Sequence, residues 1–411
     1  MKIINKVAVL ISWPRELDMF SAFSKNVLDD VVFIADDLVY TKDERFENGK
    51  SLVNFLNKKN INYVLLSEVL GKIKYRVLFS TAEAYQEKVT FRSYFKYIYS
   101  ISMGSLIQYF GLSKFFLRIF SHPLTGDGRC AEKFGKYPVE KVIGINTIKY
   151  PKGLDINKLG YPKRQWKDVF DIYLCHSVID YNLIVNKFSG AKCIRIGYPR
   201  YDNIPSVKCA KNIVYNDIKN IDKSKPFILW MPTLIKIKGE IIDNIKVWIP
   251  IIIKLLDKYN VLIRLHPKLA VMNPEIANYL AELGLLVDVK KGRNLGVLYQ
   301  ASDLVLSDYG GSVLSAVYMK KKLILLNSPS EKYIKWRGKR KYVDDDVRRD
   351  VSAFNINDDV DLIKQINNDI KHNNISKRNR LKEQYFGKDC NHKNIKFFFD
   401  KLTKEYSAPT N

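Results

Sequence analysis

Short apolar runs rich in β-branched residues recur along the chain, and most are followed by segments whose apolar positions return every three or four residues. In the first third the runs are VAVLIS (7–12), VVFIAD (31–36), INYVLLSE (61–68) and YRVLFS (75–80). This alternation predicts βα units on a parallel sheet. A second series follows with FILWMP (227–232), VLIRLHP (261–267), LGLLVDV (283–289), DLVLSDY (303–309) and KLILLN (322–327). Between the two series lie IYLCHS (172–177), a helix over 178–187 and KCIRIGYPRYD (192–202), after which the chain reads as a polar connector. The pattern predicts an α/β protein with a first domain over 1–205, a second over 225–355, and closing helices over 356–411 that pack back across the boundary. Neither an internal repeat nor a low-complexity tract interrupts it.

Composition narrows the picture. With 411 residues, 46% of them hydrophobic and 12% aromatic, the chain has ample apolar surface to offset its conformational entropy, so disorder is excluded. Charge is the outlier. There are 68 Lys and Arg against 43 Asp and Glu, a formal net charge of +25, which attracts nucleic acid, acidic lipid headgroups or phosphorylated substrates. The cations are spread along the chain and no RNA- or DNA-binding module is readable, which speaks against nucleic acid. The five Cys stand at no paired spacing, so neither a disulfide framework nor a zinc ribbon is predicted, and a reducing, cytoplasmic setting is expected. The first residues read as a strand and not a secretion signal. Residues 91–120 contain no acid but mix aromatics with Lys96, Lys114 and Arg118, which interrupt any membrane span. They read either as an interfacial amphipathic helix or as a buried helix pair; the overall charge tips the reading towards contact with an anionic membrane, at the inner face of the plasma membrane.

Two stretches carry candidate chemistry. Arg264-Leu265-His266-Pro267-Lys268 closes an apolar strand, where ligands of doubly wound sheets collect, and a His flanked by Arg and Lys there is placed to hold a phosphate. A structural His bonded to backbone at a strand end is the competing reading. About forty residues on, Ser307-Asp308-Tyr309-Gly310-Gly311-Ser312 ends a strand and opens a helix, which predicts free backbone amides, a hydroxyl and a helix dipole aimed at an anion. The spacing fits neither an ATPase P-loop nor a dinucleotide fingerprint.

The order Gly197-Tyr198-Pro199-Arg200-Tyr201-Asp202, Trp230-Met231-Pro232-Thr233, Arg264-Leu265-His266-Pro267 and Ser307 to Ser312 resembles the CDP-glycerol glycerophosphotransferase family, the teichoic acid primases and polymerases. The resemblance covers about residues 170–350 and implies a GT-B fold, two Rossmann-like domains facing an interdomain cleft that holds the donor. It implies that His266 and the loop from Asp308 to Ser312 contact the donor, that Thr233 lines the same pocket with Arg200 and Asp202 nearby, and that Arg337 binds donor phosphate. The family's first-domain His-Gly-Thr is missing. Met103-Gly104-Ser105 and Gly144-Ile145-Asn146-Thr147 are nearest by order and supply no His; His122 and Asp127 are the candidates for a base on the acceptor hydroxyl, with a turn-capping role for His122 as the alternative. Gly311 replaces the second serine of the family's Asp-Tyr-Ser-Ser, which points to a donor head other than glycerol phosphate.

No metal constellation is visible, and Asp344, Asp345 and Asp346 read as a solvated acidic turn. The expectation is a transferase without metal or cofactor. It would move a polyol phosphate from a CDP-linked donor to a lipid-linked or glycan acceptor of a bacterial surface polymer. The rival readings are a GT-B sugar transferase using CMP- or UDP-sugars for capsule or lipopolysaccharide, and a non-catalytic assembly scaffold.

Overall fold

The computed structural model describes residues 1–12, 14–20, 31–37, 49–81, 139–154, 156–202, 204–237, 240–242, 244–266, 269–270, 273–290, 293–388, 397–398 and 401. His122, Asp127, Lys268 and the segment 91–120 lie outside them.

The chain divides into two compact units, one of residues 1–152, 162–200 and 389–411, the other of 153–161 and 201–388. In the first, β1 (Lys2–Ile11), β2 (Val31–Ala35), β3 (Tyr63–Leu65), β4 (Ile73–Ser80), β5 (Gly144–Lys149), β6 (Ile172–Cys175) and β7 (Lys192–Arg195) form one sheet. Its order is β3-β2-β1-β4-β5-β6-β7, and every pairing is parallel. The order reverses between β1 and β4, the hallmark of a doubly wound sheet. Because side chains alternate across a strand, Val7, Val9 and Ile11 feed the core on one face while Ala8 and Leu10 feed that on the other. Phe398 joins the first of these cores, its ring 6.5 Å from that of Phe79, so the chain returns to this unit after completing the other.

The second unit repeats the design. β8 (Phe227–Met231), β11 (Asn260–Arg264), β12 (Leu286–Asp288), β13 (Leu304–Ser307), β14 (Leu323–Leu326) and β15 (Ser352–Phe354) make a parallel sheet of order β12-β11-β8-β13-β14-β15, and β9 (Ile235–Ile237) pairs with β10 (Glu240–Ile242) as an antiparallel hairpin. β8 is buried at all five positions, and Trp230 and Trp248 are the largest side chains sealed in this unit's core. The reversal falls at β8, between β11 and β13.

The stretch read as a polar connector folds instead as a helix, Val207–Asp217. Ser206 caps it by accepting from the Cys209 amide, and only Ala210 and Val214 are buried, too few to mark a periodic stripe. It rests on the helix Leu295–Ala301, where a Cβ at Gly296 would come within 2.2 Å of the Ile204 side-chain tip and 3.0 Å of the Tyr201 ring, so a larger residue there would have to displace them. Among the described residues no helix is long and apolar enough to cross a membrane.

Candidate functional site

Three neighbouring strands of the second sheet, β11, β8 and β13, end on the same edge. His266 follows the first, Thr233 the second and Asp308 to Ser312 the third. Adjacent strands lie about 4.8 Å apart, so residues leaving β11 and β13 start within roughly 10 Å of one another across β8.

Asp308 organises this edge. It is 1% exposed, accepts from the Thr233 amide at 2.9 and 3.1 Å, from the Asn244 side-chain amide at 3.0 Å, and from the Tyr309 amide at 2.7 Å. Burial pushes its carboxyl up to about 6, against the lowering by these donors. The Thr233 hydroxyl donates to the Tyr309 carbonyl at 2.6 Å, closing a second bond between the loops after β8 and β13. The Ser307 and Ser312 hydroxyls meet at 2.8 Å across the turn, and Ser307 also reaches the Met231 carbonyl at 3.2 Å.

Gly310 caps the helix Gly311–Tyr318 at φ 78° and ψ −153°, a conformation open essentially to glycine alone. Its amide was expected to face an anion. Instead it donates to Asp344 at 2.8 Å. Asp344 is buried on the helix Val343–Asp350, which corrects the solvated acidic turn. The amides left at the mouth of the turn are those of Gly311 and Ser312, in the helix's first turn, where the dipole favours negative charge.

Arg337 supports this arrangement from behind. Its guanidinium bonds Asp344 at 2.7 Å and Asp345 at 2.7 and 2.9 Å, and lies 4.6 Å from the Tyr309 ring centroid and 4.5 Å from that of Tyr342. Burial opposes its charge, but Asp344, Tyr333 and Asp345 raise its pKa, so it is held as a cation. Arg348 covers the Tyr309 ring at 4.2 Å and donates to the Asp308 carbonyl and the Asn327 side chain. The phosphate ligand expected at Arg337 is thus a residue whose nitrogens already serve carboxylates and the Tyr333 hydroxyl.

Arg264 is engaged likewise. One of its terminal nitrogens donates to the Asp288 carboxylate at 3.0 Å, to the Asp288 carbonyl at 3.0 Å and to the Lys290 carbonyl at 3.1 Å, which ties β11 to β12. Asp202 accepts from Tyr318 at 2.6 Å, at the far end of the helix from Gly310, so it braces that helix instead of joining its amino terminus. Arg200 belongs to the first unit, in the short helical turn Pro199–Tyr201. His266 is half-buried, and its carbonyl accepts from the Leu269 amide at 2.8 Å.

The equivalent edge of the first unit holds a different set. Glu16, fully buried, accepts from the Ser12 amide at 2.8 Å and the Thr81 hydroxyl at 2.5 Å, with the Lys152 ammonium 3.8 Å away. Lys149 donates to the Thr81 and Tyr150 carbonyls and lies 4.5 Å over the Trp166 ring. His176 is bonded to the carbonyls of Gly197 and Pro151, and burial pushes its imidazole down to about 4.

The model of the CDP-Glycerol:Poly(glycerophosphate) glycerophosphotransferase family matches residues 141–391, which include every described residue of the second unit. The chain belongs to this family. It is therefore an enzyme, a transferase of the CDP-glycerol glycerophosphotransferase type. Solved structures of like architecture include a histidine-to-alanine variant of the wall teichoic acid polymerase TagF, at 12% identity over 98% of this chain and 90% of that one, with a TM-score of 0.58. A histidine-to-asparagine variant of the same polymerase with CDPG gives 12% over 99% and 89%, with a TM-score of 0.54. The UDP-GlcNAc 2-epimerase from Methanocaldococcus jannaschii gives 14% over 98% and 100%, with a TM-score of 0.50. At such identities the likeness is one of fold, and that fold is GT-B. No curated protein matches the chain in sequence.

Within this glycerophosphotransferase-type enzyme, the residues that sequence reading missed are Asn244, Asp344, Arg348 and, in the first unit, Glu16 and His176. The Asp run did carry a signal. Three acids at the start of a helix and a basic pair at its end match the helix dipole, which marks an ordered helix and not a turn. Asn244 had none, since its role exists only through Asp308.

Proposed function

We propose that this transferase moves a polyol-phosphate unit from a CDP-linked donor to a hydroxyl of a growing, teichoic-acid-like surface polymer. The observation that carries the reading is the amino end of the helix Gly311–Tyr318, set at the switch-point edge with the Gly311 and Ser312 amides and the paired Ser307 and Ser312 hydroxyls. The donor diphosphate sits on those groups, and His266 approaches from the end of β11. The acceptor oxygen attacks the donor's β-phosphorus. A new oxygen–phosphorus bond forms there, the bond from that phosphorus to the bridging oxygen breaks, and CMP leaves with the electron pair. The acceptor's proton passes to a base, for which His122 and Asp127 are the candidates. His266 and the two amides offset the charge that accumulates on the leaving phosphate, without metal or cofactor. Asp308, Arg337 and Asp344 contribute by fixing the turn. The net charge of +25 suits an acidic, lipid-linked acceptor at an anionic membrane face.

The missing His-Gly-Thr and the Gly311 replacement favour one second reading, a sugar transferase using a CMP- or UDP-sugar. Purified enzyme incubated separately with CDP-glycerol, CDP-ribitol, a CMP-sugar and a UDP-sugar separates the two. Release of CMP from a CDP-polyol is the expected result. Turnover confined to a nucleotide sugar would replace the proposal with the second reading.

A further inference from the structure

The opposite edge of the second sheet is built quite differently from its carboxyl edge. A cavity of about 610 Å³ opens beside the starts of β8, β13 and β14, and its walls include Lys211, Lys223, Lys225, Lys320, Lys321, Lys322 and Arg378. Asp303 is the single carboxylate in that lining. It is already engaged, by Lys211 at 2.9 Å and by the Phe227 amide at 2.8 Å.

Helix ends explain part of the crowding. Lys322 donates at 3.0 Å to the Ile370 carbonyl in the last turn of the helix Asp359–Lys371, a contact that a helix dipole rewards, and Lys225 donates to the Leu256 carbonyl at 3.1 Å. Carbonyl groups carry only partial charge, and the one carboxylate outside the lining that acts on Lys322 and Arg378 is that of Asp369, so seven cations against two carboxylates leave an uncompensated excess. The cost is visible in the groups themselves. Burial pushes the Lys321 ammonium down to about 8, and among the charges around it Asp303 pulls it up while Arg378, Lys211 and Lys322 push it lower. Lys322 and Arg378 are lowered as well, again chiefly by burial. Lys320 holds a left-handed φ of 54°, and the Arg378 Nε is buried with no hydrogen-bond partner. Elsewhere in this unit, Arg264, Arg293 and Arg337 are all matched to carboxylates. A cluster whose cations outnumber its carboxylates in a concave site is what an external polyanion requires.

Shape selects the kind of polyanion. The headgroups of a bilayer lie in a plane, whereas this site is concave and has no Trp or Phe to insert among lipids, which favours a single chain that can enter it. We propose that the cavity binds two or more phosphates of a flexible phosphodiester chain, holding the polymer at the sheet edge opposite the donor site. That the chain is a polyol-phosphate polymer rests on the function proposed above; the anion site itself rests on the cavity.

The test uses the full-length enzyme and short, soluble, fluorescently labelled poly(glycerol phosphate) chains without donor, read by anisotropy at low salt. Combining Lys320→Asn, Lys321→Gln and Arg378→Gln is expected to weaken chain binding at least about tenfold, whereas Ser312→Ala leaves it unchanged. Asn tolerates the left-handed backbone at 320, and Lys321→Gln alone, expected to have a smaller effect in the same direction, covers failure of the triple variant to fold. Inorganic phosphate is expected to compete only at far higher concentration. Equal binding by wild type and by both variants overturns the proposal. So does flotation on phosphatidylglycerol vesicles that depends on these three residues when the soluble chain does not bind. Failure of the function reading shows separately, as absence of CMP release from CDP-polyols by an enzyme that still binds the chain.

Discussion

The two units each gather their loops with one buried carboxylate, and they differ in what stands around it. In the first, Glu16 ties the end of β1 to the residue after β4 through the Ser12 amide and the Thr81 hydroxyl, with lysines beside it. In the second, Asp308 ties the ends of β8 and β13 through Thr233 and Tyr309, with arginines and a second layer of carboxylates behind. Among the described residues, the second places a helix amino terminus, that of Gly311–Tyr318, above its carboxylate. The same fold therefore yields a braced helix amino terminus in one unit and a cluster of lysines, histidine and acid in the other. This is the division expected when one half holds a nucleotide donor and the other serves an acceptor.

The strongest way to break this contrast is Arg337→Ala. It strands Asp344 as a buried unpaired charge, and the second unit should lose about 3–5 kcal/mol in denaturant unfolding, along with measurable turnover. Retention of wild-type stability would mean that the brace is ornamental. Next come Asp308→Ala and Glu16→Ala as a pair. Each should destabilise its own unit by about 2–4 kcal/mol through the amides and hydroxyls it releases. Only the first should also weaken nucleotide binding in calorimetry, and an equal effect from both would erase the asymmetry.

A smaller difference concerns pH. His176 sits below its ordinary value, so the unfolded chain takes up its proton first, and the stability it contributes is present above about 6.5 and lost as pH falls through about 4. Asp180, pushed up to about 6 by burial, runs the other way, since the folded unit takes up that proton first as pH falls. The two oppose each other within the first unit, whereas in the second the Asp308 and Asp369 carboxyls are both raised, chiefly by burial. His176→Gln should thus cost less at pH 4.5 than at pH 7, by about 2–3 kcal/mol. A pH-independent cost would show that this imidazole titrates normally. The mildest change, Ser312→Ala, removes one hydroxyl from the cradle and should weaken donor binding about three- to tenfold with the fold intact.

Most of both sheets was legible because parallel strands covered on both faces read as continuous apolar runs. β5 was not, since Gly144 and Asn146 interrupt it and its buried positions include Thr147 and Lys149. The loop after β13 was found because strand ends are where ligands gather and that after β8 through the family resemblance, and Thr233, Asp308 and Tyr309 do meet there. What the sequence could not reveal was which polar groups were already engaged. Arg264 finds Asp288 24 positions on, and the Gly310 amide finds Asp344 34 positions on. Pairings at such separations leave no periodic trace, so residues read as free for a ligand proved to be holding the scaffold.

Phe398 gives the molecule an order of assembly. A ring in the core of the first unit is translated only after every residue of the second, so a ribosome releases the amino-terminal half with an unfilled seat until the second unit has been made. Any truncation ahead of that ring leaves a gap in the half of the protein farthest from it in sequence.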